Sequence, residues 1–153
     1  VRTPNIISGY IGRGPLGPDK ISADGFYSTG DVGHVDEEGV LFIYDRITDM
    51  IIAGGVNIYP AESEAVIATH PRVANVAVIG VPDEDHGEQP LAFVQTVPGA
   101  VLTAEELYSF LDGKLAKYKW PRSFEFVEEI PTNSMGKTLK RVLRQSHLEG
   151  TKA

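Results

Sequence analysis

The sequence predicts an α+β protein in which a small domain, with an antiparallel or mixed sheet and flanking helices, follows a β-rich segment. Three observations lead to this class. Residues 25–45 contain short apolar runs separated by polar turns, which is typical of a β-meander. From about residue 49 onward, amphipathic helical patterns alternate with short β-branched runs. Between the two patterns, Gly54 and Gly55 interrupt the chain and allow backbone conformations that other residues avoid.

Residues 1–22 carry most of the turn-forming residues, with glycines and prolines concentrated between positions 9 and 18. Their apolar side chains follow no period that could bury them locally. We therefore expect loops with a short strand near residues 6–10, and we interpret this segment as the tail of a larger upstream domain.

The meander is predicted to contain three strands. Residues 26–28 form a short first strand, and residues 32–35 and 40–44 form a hairpin. The hairpin turn ends at Gly39, because glycine accepts the left-handed conformation that such turns need.

After the glycine pair, helices and strands are predicted to alternate. Pro60 suits the first turn of a helix, where its lack of an N–H costs nothing, and Thr103 to Glu106 form a capping box at the start of another helix. Valine-rich runs bounded by prolines predict strands. The expected elements are a buried strand at 50–52, a helix at 60–69, strands at 73–81 and 91–97, a helix from 104 to about 114, a strand at 124–127 and a terminal helix at 138–147.

Composition excludes several classes of protein. The chain of 153 residues has a net charge of -7, which argues against nucleic-acid binding. It contains no apolar run long enough to span a membrane, and its start has no signal-peptide pattern. Without cysteine it can form no disulfide, thiol nucleophile or cysteine metal site, and its scattered histidines show no metal-ligand spacing. We expect a cytoplasmic protein.

Positive charge is concentrated in the last third of the chain, which holds eight of the fourteen Lys and Arg residues between positions 114 and 144. This cluster is either a solvated basic face or a site for a phosphorylated ligand in an otherwise acidic protein. Its members are Lys114, Lys117, Lys119, Arg122, Lys137, Lys140, Arg141 and Arg144.

Three motifs carry a family resemblance. They are Ser28-Thr29-Gly30-Asp31, Asp45-Arg46-x-x-Asp49-x-Ile51-x-x-Gly54-Gly55-x-Asn57-x-x-Pro60-x-Glu62, and Pro131-x-x-x-x-Gly136-Lys137-x-x-x-Arg141. In this order and spacing they resemble the adenylate-forming enzymes, which are the acyl-CoA synthetases, firefly-type luciferases and peptide-synthetase adenylation domains. The resemblance covers nearly the whole chain and implies the C-terminal portion of an AMP-forming acyl-CoA synthetase. It implies that residues 1–45 are the tail of an N-terminal domain for ATP and acid, residues 46–49 a hinge, and residues 50–153 a mobile C-terminal domain.

For adenylation, the resemblance implies roles for three residues. Asp31 would hold the ribose hydroxyls of ATP, because a carboxylate accepts from both at once, and its alternative is a turn-capping aspartate. Arg46 would contact the ribose and phosphate, and otherwise it is a surface arginine paired with a neighbouring carboxylate. Lys137 would be the catalytic lysine that stabilises charge on the acid and the α-phosphate, and its alternative is one basic residue in a basic tail.

For the second half-reaction, the resemblance implies a hinge and a thiol channel. Thr48 falls at the family's pivot position, where many members have Asp or Lys, and Asp49 beside it supplies a charge. Gly54 and Gly55 would line the tunnel for the pantetheine arm of CoA, because small residues let a thin chain pass close to the backbone. A tight turn between strands is compatible with this role.

Four residues are candidates for binding the CoA nucleotide. Tyr118, Trp120 and Arg122 alternate, which predicts one face of an extended segment, and two aromatic rings with a cation suit an adenine and a phosphate. His86 could stack on the same base. The alternative for Tyr118 and Trp120 is ordinary packing.

The resemblance thus implies an ATP-dependent ligase for a carboxylic acid, with a fatty acid as the expected substrate and CoA as co-substrate. Mg²⁺ would be bound mainly by ATP and the N-terminal part of the enzyme. We expect this chain alone to be inactive and its own N-terminal domain to be its partner. The alternatives are an adenylation domain that loads a carrier protein and a non-catalytic nucleotide-binding domain of the same fold.

Overall fold

The computed structural model describes residues 1–150. The chain divides into two compact units, residues 1–48 and a second unit that begins at Asp49. None of the helices within residues 1–150 is long and apolar enough to cross a membrane.

The first unit is built from two small hairpins. β1 (Gly9–Tyr10) pairs antiparallel with β2 (Gly14–Pro15), and β3 (Asp31–Val35) pairs antiparallel with β4 (Leu41–Arg46). The predicted hairpin around Gly39 is therefore confirmed. The strand predicted at 26–28 is wrong, because the Ser22 backbone and hydroxyl bond to Phe26 and close a turn there. Within the predicted strand, Tyr27 forms a single antiparallel β-bridge with Ile21.

The second unit contains a five-stranded mixed sheet in the order β6-β5-β8-β7, with β9 also paired to β8. β5 meets β8 only at Gly87, so residues 91–94 of β8 are open to parallel pairing with β9. The remaining pairs are antiparallel. Their bounds are β5 (Ile51–Ala53), β6 (Val56–Ile58), β7 (Val73–Asp83), β8 (Gly87–Thr96) and β9 (Ser123–Phe126).

Helices cover both faces of this sheet. α1 (Pro60–Ile67) and α2 (Ala104–Leu111) pack on one face, and α3 (Lys140–Gly150) packs on the other. β7 shows the alternation, because Val76 and Val78 join the apolar cluster under α2 while residues 77, 79 and 81 join the cluster with Leu143 of α3. The predicted α+β class is confirmed.

Several predicted bounds change in the second unit. The strand predicted at 50–52 exists as β5. It was expected to be buried, and Ile51 is, but Ile52 is half exposed. The strands predicted at 73–81 and 91–97 extend toward each other, since β7 and β8 form one long hairpin that turns between Asp83 and Gly87. The capping box at Thr103 is present, with both reciprocal bonds to Glu106.

Candidate functional site

Asp31 and Arg46 face each other at the open end of the β3–β4 hairpin. They are direct partners in the strand register, and Arg46 Nε lies 3.0 Å from Asp31 Oδ1. The arginine side chain is 53% exposed, so its other N–H groups can reach a ligand from the same end of the hairpin. The hairpin thus brings together a carboxylate and a guanidinium, the two groups predicted to hold a nucleotide.

Gly54 and Gly55 form the tight turn between β5 and β6. Both have positive φ, +57° and +80°, a region that other residues rarely adopt. The Gly54 N–H donates to the His86 carbonyl oxygen at 2.8 Å, and a Cβ on Gly54 would lie 3.3 Å from His86 Cδ2. The glycine turn therefore packs closely against the turn between β7 and β8.

The turn between β7 and β8 is organised by Asp83. Its Oδ1 accepts the backbone N–H of Asp85 at 3.1 Å and of His86 at 2.8 Å, and it lies 2.9 Å from His86 Nδ1. The His86 side chain, followed by these backbone donors, lowers the pKa of Asp83. The aspartate therefore fixes the backbone of the turn through two contacts and the His86 ring through a third.

An open cavity of about 470 Å³ lies beside these two turns. Four of the predicted site residues line it together, namely Gly54, His86, Tyr118 and Arg122. Arg122 is held there by its backbone, because its N–H donates to the Pro90 carbonyl at 2.7 Å and its carbonyl accepts the Tyr108 hydroxyl at 2.9 Å. The cavity offers two rings and a cation, which are groups that suit a purine nucleotide.

Trp120 follows the alternative of ordinary packing and does not line the cavity. Residues 117–119 form a 3₁₀ helix, so the segment is not extended and Trp120 does not share a face with Tyr118 and Arg122. Its ring stacks on Tyr108 at 6.0 Å between centroids, its Nε1 donates to the Leu115 carbonyl at 2.9 Å, and it packs on the apolar core. Since the period of a 3₁₀ helix is three rather than two, the alternation in the sequence led to the wrong face for this residue.

The segment that carries Tyr118 is anchored by α1. The Ser63 hydroxyl donates to the Lys119 carbonyl at 2.8 Å, and Lys119 Nζ pairs with the Glu62 carboxylate. The hydrogen bond to Glu62 raises the pKa of Lys119. Sequence reasoning missed this anchor because its partners lie more than fifty residues apart, and no local pattern connects them.

Lys137 lies in an exposed turn at a different part of the second unit and does not line the cavity. Asn133 closes this turn, because its Oδ1 accepts the N–H groups of Met135 and Lys137 at 3.0 and 2.9 Å. Gly136 has a φ of +78°, which completes the turn. Asn133 was not predicted from the sequence. The signal that could have found it is an Asn three residues before a Gly.

Thr48 and Asp49 lie in the turn after β4. Asp49 Oδ1 lies 3.4 and 3.3 Å from the two terminal nitrogens of Arg144 in α3. Asp49 is therefore engaged with the terminal helix of its own unit.

One group of acidic and histidine side chains has the proximity of a metal site. Ligand atoms of Asp83, Asp85 and His86 all lie within 4.8 Å of one another. The bonds from the turn to Asp83 account for this arrangement, because they hold the three residues together without an ion.

Comparisons with known proteins identify the family. Residues 62–137 match the family model of the AMP-binding enzyme C-terminal domain. A 2-succinylbenzoate–CoA ligase of Bacillus cereus is 46% identical over 145 residues, which is 95% of this chain and 30% of that protein. The chain thus spans about a third of the length of the curated relatives that it matches.

Solved structures agree with the family match. The o-succinylbenzoate CoA synthetase of Bacillus subtilis, in complex with its acyl-adenylate intermediate, is 37% identical with a TM-score of 0.85 over 94% of this chain and 29% of its own. A fatty acyl CoA synthetase of Mycobacterium tuberculosis is 46% identical with a TM-score of 0.68, over 84% of this chain and 25% of its own. The chain therefore belongs to the adenylate-forming enzymes, as a C-terminal portion of the kind found in AMP-forming CoA ligases.

Proposed function

We propose that the full-length protein is an AMP-forming carboxylic acid–CoA ligase. In the first half-reaction the acid carboxylate attacks the α-phosphorus of ATP, which forms an acyl-adenylate and releases pyrophosphate. In the second, the CoA thiol attacks the acyl carbon and AMP leaves. The observation that carries this proposal is the separation, within one unit, of an exposed lysine turn from a cavity lined by a glycine turn, two rings and an arginine.

Lys137 would serve the first half-reaction. Its ammonium sits on a turn whose backbone is fixed by Asn133, so the side chain can enter a neighbouring site while its base stays rigid. Positive charge placed beside the attacking carboxylate and the α-phosphate stabilises a transition state in which negative charge spreads over the phosphate oxygens. Asp31 and Arg46 would hold the ribose and phosphate of the same nucleotide.

The cavity would serve the second half-reaction. Gly54 and Gly55 would let the pantetheine arm pass close to the backbone, while Tyr118, His86 and Arg122 would bind the nucleotide end of CoA. A rotation about residues 46–49, with Thr48 as the pivot, would replace Lys137 by the glycine turn. Alternation of this kind separates two reactions that need different groups at one centre.

Mg²⁺ enters this proposal with ATP and the N-terminal part of the enzyme. Within the described residues, Asp83, Asp85 and His86 form the group with metal-site proximity, but Asp83 already accepts three hydrogen bonds. Mg²⁺ prefers oxygen ligands in octahedral geometry, so this group with its imidazole does not fit it. These three residues therefore have no part in the proposed reaction.

The identity of the acid is a choice between two candidates. The curated relatives favour 2-succinylbenzoate, and the solved fatty acyl CoA synthetase favours the fatty acid that the sequence suggested. Both relatives are 46% identical to this chain, so this portion does not distinguish their acids. A panel that includes 2-succinylbenzoate and fatty acids of several lengths would decide.

The test is ATP–pyrophosphate exchange by the full-length protein across that panel, with Lys137→Ala beside the wild type. We expect exchange with one class of acid, and a loss of roughly 10²–10³-fold in the variant, the range seen when one transition-state donor is removed. Lys114→Ala, which removes the same charge at the end of α2, is the control and should exchange normally.

Three other results would contradict the proposal. No exchange with any acid would favour the non-catalytic nucleotide-binding domain. Exchange followed by transfer to a phosphopantetheine carrier protein but not to CoA would favour the carrier-loading alternative. Exchange that survives Lys137→Ala would show that another group supplies the charge.

A further inference from the structure

The terminal helix α3 carries a stripe of side chains that contact carboxylates of the rest of its unit, and two of these contacts are ion pairs. Lys140, Arg144 and His147 are spaced i, i+4 and i+7, so they lie on one face of the helix. Their partners lie in α1, in β9 and in the turn after β4. The pairs are Lys140 Nζ with Glu64 Oε1 of α1 at 2.7 Å, Arg144 with Asp49 at 3.3 Å, and His147 Nδ1 with Glu125 Oε1 of β9 at 2.8 Å.

The first pair sits at an open edge of the sheet. β7 is an edge strand, and the Val78 N–H donates at 2.7 Å to Glu64 Oε1, the oxygen that also meets Lys140. The Lys140 and Glu64 side chains are only 13% and 22% exposed. Glu64 therefore ties α1, the edge of β7 and the first turn of α3 together in a place with limited solvent screening.

Apolar contacts alone hold α3 weakly. Leu143 is the one buried residue of the helix, and it packs in the cluster that contains Ile130. The ion pairs of Lys140 and Arg144 therefore add to a small apolar contact in fixing α3 on the sheet. Asp49, the partner of Arg144, is itself the first residue of the unit and directly follows Thr48 at the predicted pivot.

The turn that presents Lys137 is continuous with this helix. The Leu139 N–H donates to the Pro131 carbonyl at 2.8 Å, which closes the base of the turn one residue before α3 begins. At the tip of the turn Met135 is 90% exposed, whereas Ile130, just before Pro131, is buried. The backbone of the Lys137 turn is therefore held from both ends, by Ile130 on one side and by α3 on the other.

We propose that Arg144 and Asp49, supported by Lys140 and Glu64, are positioning residues for Lys137 in the adenylation half-reaction. This inference rests on the proposed function. The Asp49–Arg144 pair fastens the lysine-bearing helix to the residue after the pivot, so Lys137 turns with the hinge as one body. Neither Asp49 nor Arg144 lines the cavity. Their ion pair should therefore affect the rate of adenylation and not the rate of acyl transfer to CoA.

The test uses the full-length protein with Arg144→Gln, Asp49→Asn, the double variant, and Gln145→Ala as a control on the exposed side of α3. Three quantities are measured for each protein. They are the rate of ATP–pyrophosphate exchange, the rate of acyl transfer from a preformed acyl-adenylate to CoA, and backbone hydrogen–deuterium exchange over residues 137–148. Melting temperatures are recorded for comparison.

We expect each single variant to lose about 10- to 100-fold in adenylation, since small displacements of catalytic groups have effects of this size. Acyl transfer should stay near the wild-type rate, and deuterium exchange over residues 137–148 should become faster. The double variant should lose no more than the single variants, because both remove the same contact. Gln145→Ala should resemble the wild type in every measurement.

Other outcomes overturn the inference. Equal losses in both half-reactions would mean a general structural role. Losses that multiply in the double variant would mean that the two residues act independently, and unchanged adenylation would mean that Lys137 needs no such support. Absence of adenylation by the wild type would overturn the proposed function together with this inference, whereas normal wild-type adenylation with unaffected variants would overturn the inference alone.

Discussion

The cavity and the Lys137 turn belong to the same unit but are built in different ways. The cavity is assembled from the β5–β6 turn, the β7–β8 turn and the segment around Tyr118 and Arg122. Hydrogen bonds fix these pieces to one another, such as Gly54 to His86 and Arg122 to Pro90. The lysine turn is one continuous segment, closed by its own Asn133 and held between the buried Ile130 and α3.

The difference indicates how each region should respond to substitution. A change at one wall of the cavity should disturb its neighbours, because the walls share close contacts. A change near Lys137 should act mainly through the direction of one side chain. The predictions below are ordered from the largest expected effect to the smallest.

Gly54→Val should damage the cavity most. Valine at a φ of +57° is strained by about 1–3 kcal/mol, and its Cβ would lie 3.3 Å from His86 Cδ2. We expect acyl transfer to CoA to fall roughly 100-fold, in line with displacement of aligned groups, while ATP–pyrophosphate exchange stays near normal.

Gly55→Val is the matched control for this change. Gly55 also has positive φ, +80°, but no atom lies within 4 Å of the position of its Cβ. Both variants therefore strain the backbone of the turn, but only Gly54→Val also brings a side chain against His86. Equal transfer rates in the two variants would show that the close approach to His86 is unimportant.

Arg122→Ala should weaken CoA binding with little effect on the lysine turn. A hydrogen bond to a charged group contributes about 1.5–3 kcal/mol, and exposure reduces this, so we expect the KM for CoA to rise roughly tenfold. The measurement is a CoA titration of the second half-reaction with preformed acyl-adenylate. Lys114→Ala removes one positive charge away from the cavity, and a similar rise there would indicate a general effect of net charge.

His70 tests the scaffold that both regions share, and its effect should be the smallest. It is 7% exposed, lies edge-on to Phe110, and its Nδ1 accepts the Arg72 N–H at 3.2 Å. Burial lowers the pKa of His70, and the nearby Arg72 charge lowers it further. The unfolded chain therefore binds a proton at higher pH than the folded chain does.

The unfolded chain is therefore protonated first as the pH falls. The stability of the folded chain should decrease as the pH falls through 6.5, the ordinary histidine pKa, toward the lower pKa of His70 in the folded chain. We expect His70→Gln to flatten the pH dependence of the free energy of unfolding between about pH 7.5 and 5.5. Denaturant titrations at several pH values measure it. An unchanged slope in the variant would show that another group titrates in this range.

The sequence predicts local features of the chain well. Gly54 with Gly55, the capping box at Thr103 and the hairpin turn at Gly39 are decided by residues within a few positions of each other. The lysine turn belongs to this class, since Asn133 and Gly136 lie next to Lys137. Such features follow from backbone preferences that act over one turn.

Features that depend on distant partners could not be predicted in this way. The Glu62–Lys119 pair and the bond from Ser63 decide where Tyr118 lies, and they join segments more than fifty residues apart. The predicted position of Trp120 was wrong for a related reason. The backbone before it forms a 3₁₀ helix anchored by α1 and is not extended as predicted. The family resemblance assigned roles to positions, but the tertiary contacts decide which side chains share a cavity.

The most direct test of the whole account measures both half-reactions of the full-length protein in Lys137→Ala and Gly54→Val under single-turnover conditions. The account predicts a crossed result, in which the lysine variant is slow to form the acyl-adenylate but transfers a preformed one, and the glycine variant does the reverse. If both variants slow the same half-reaction by the same factor, the proposal that the Lys137 turn acts in adenylation and the cavity acts in acyl transfer is wrong.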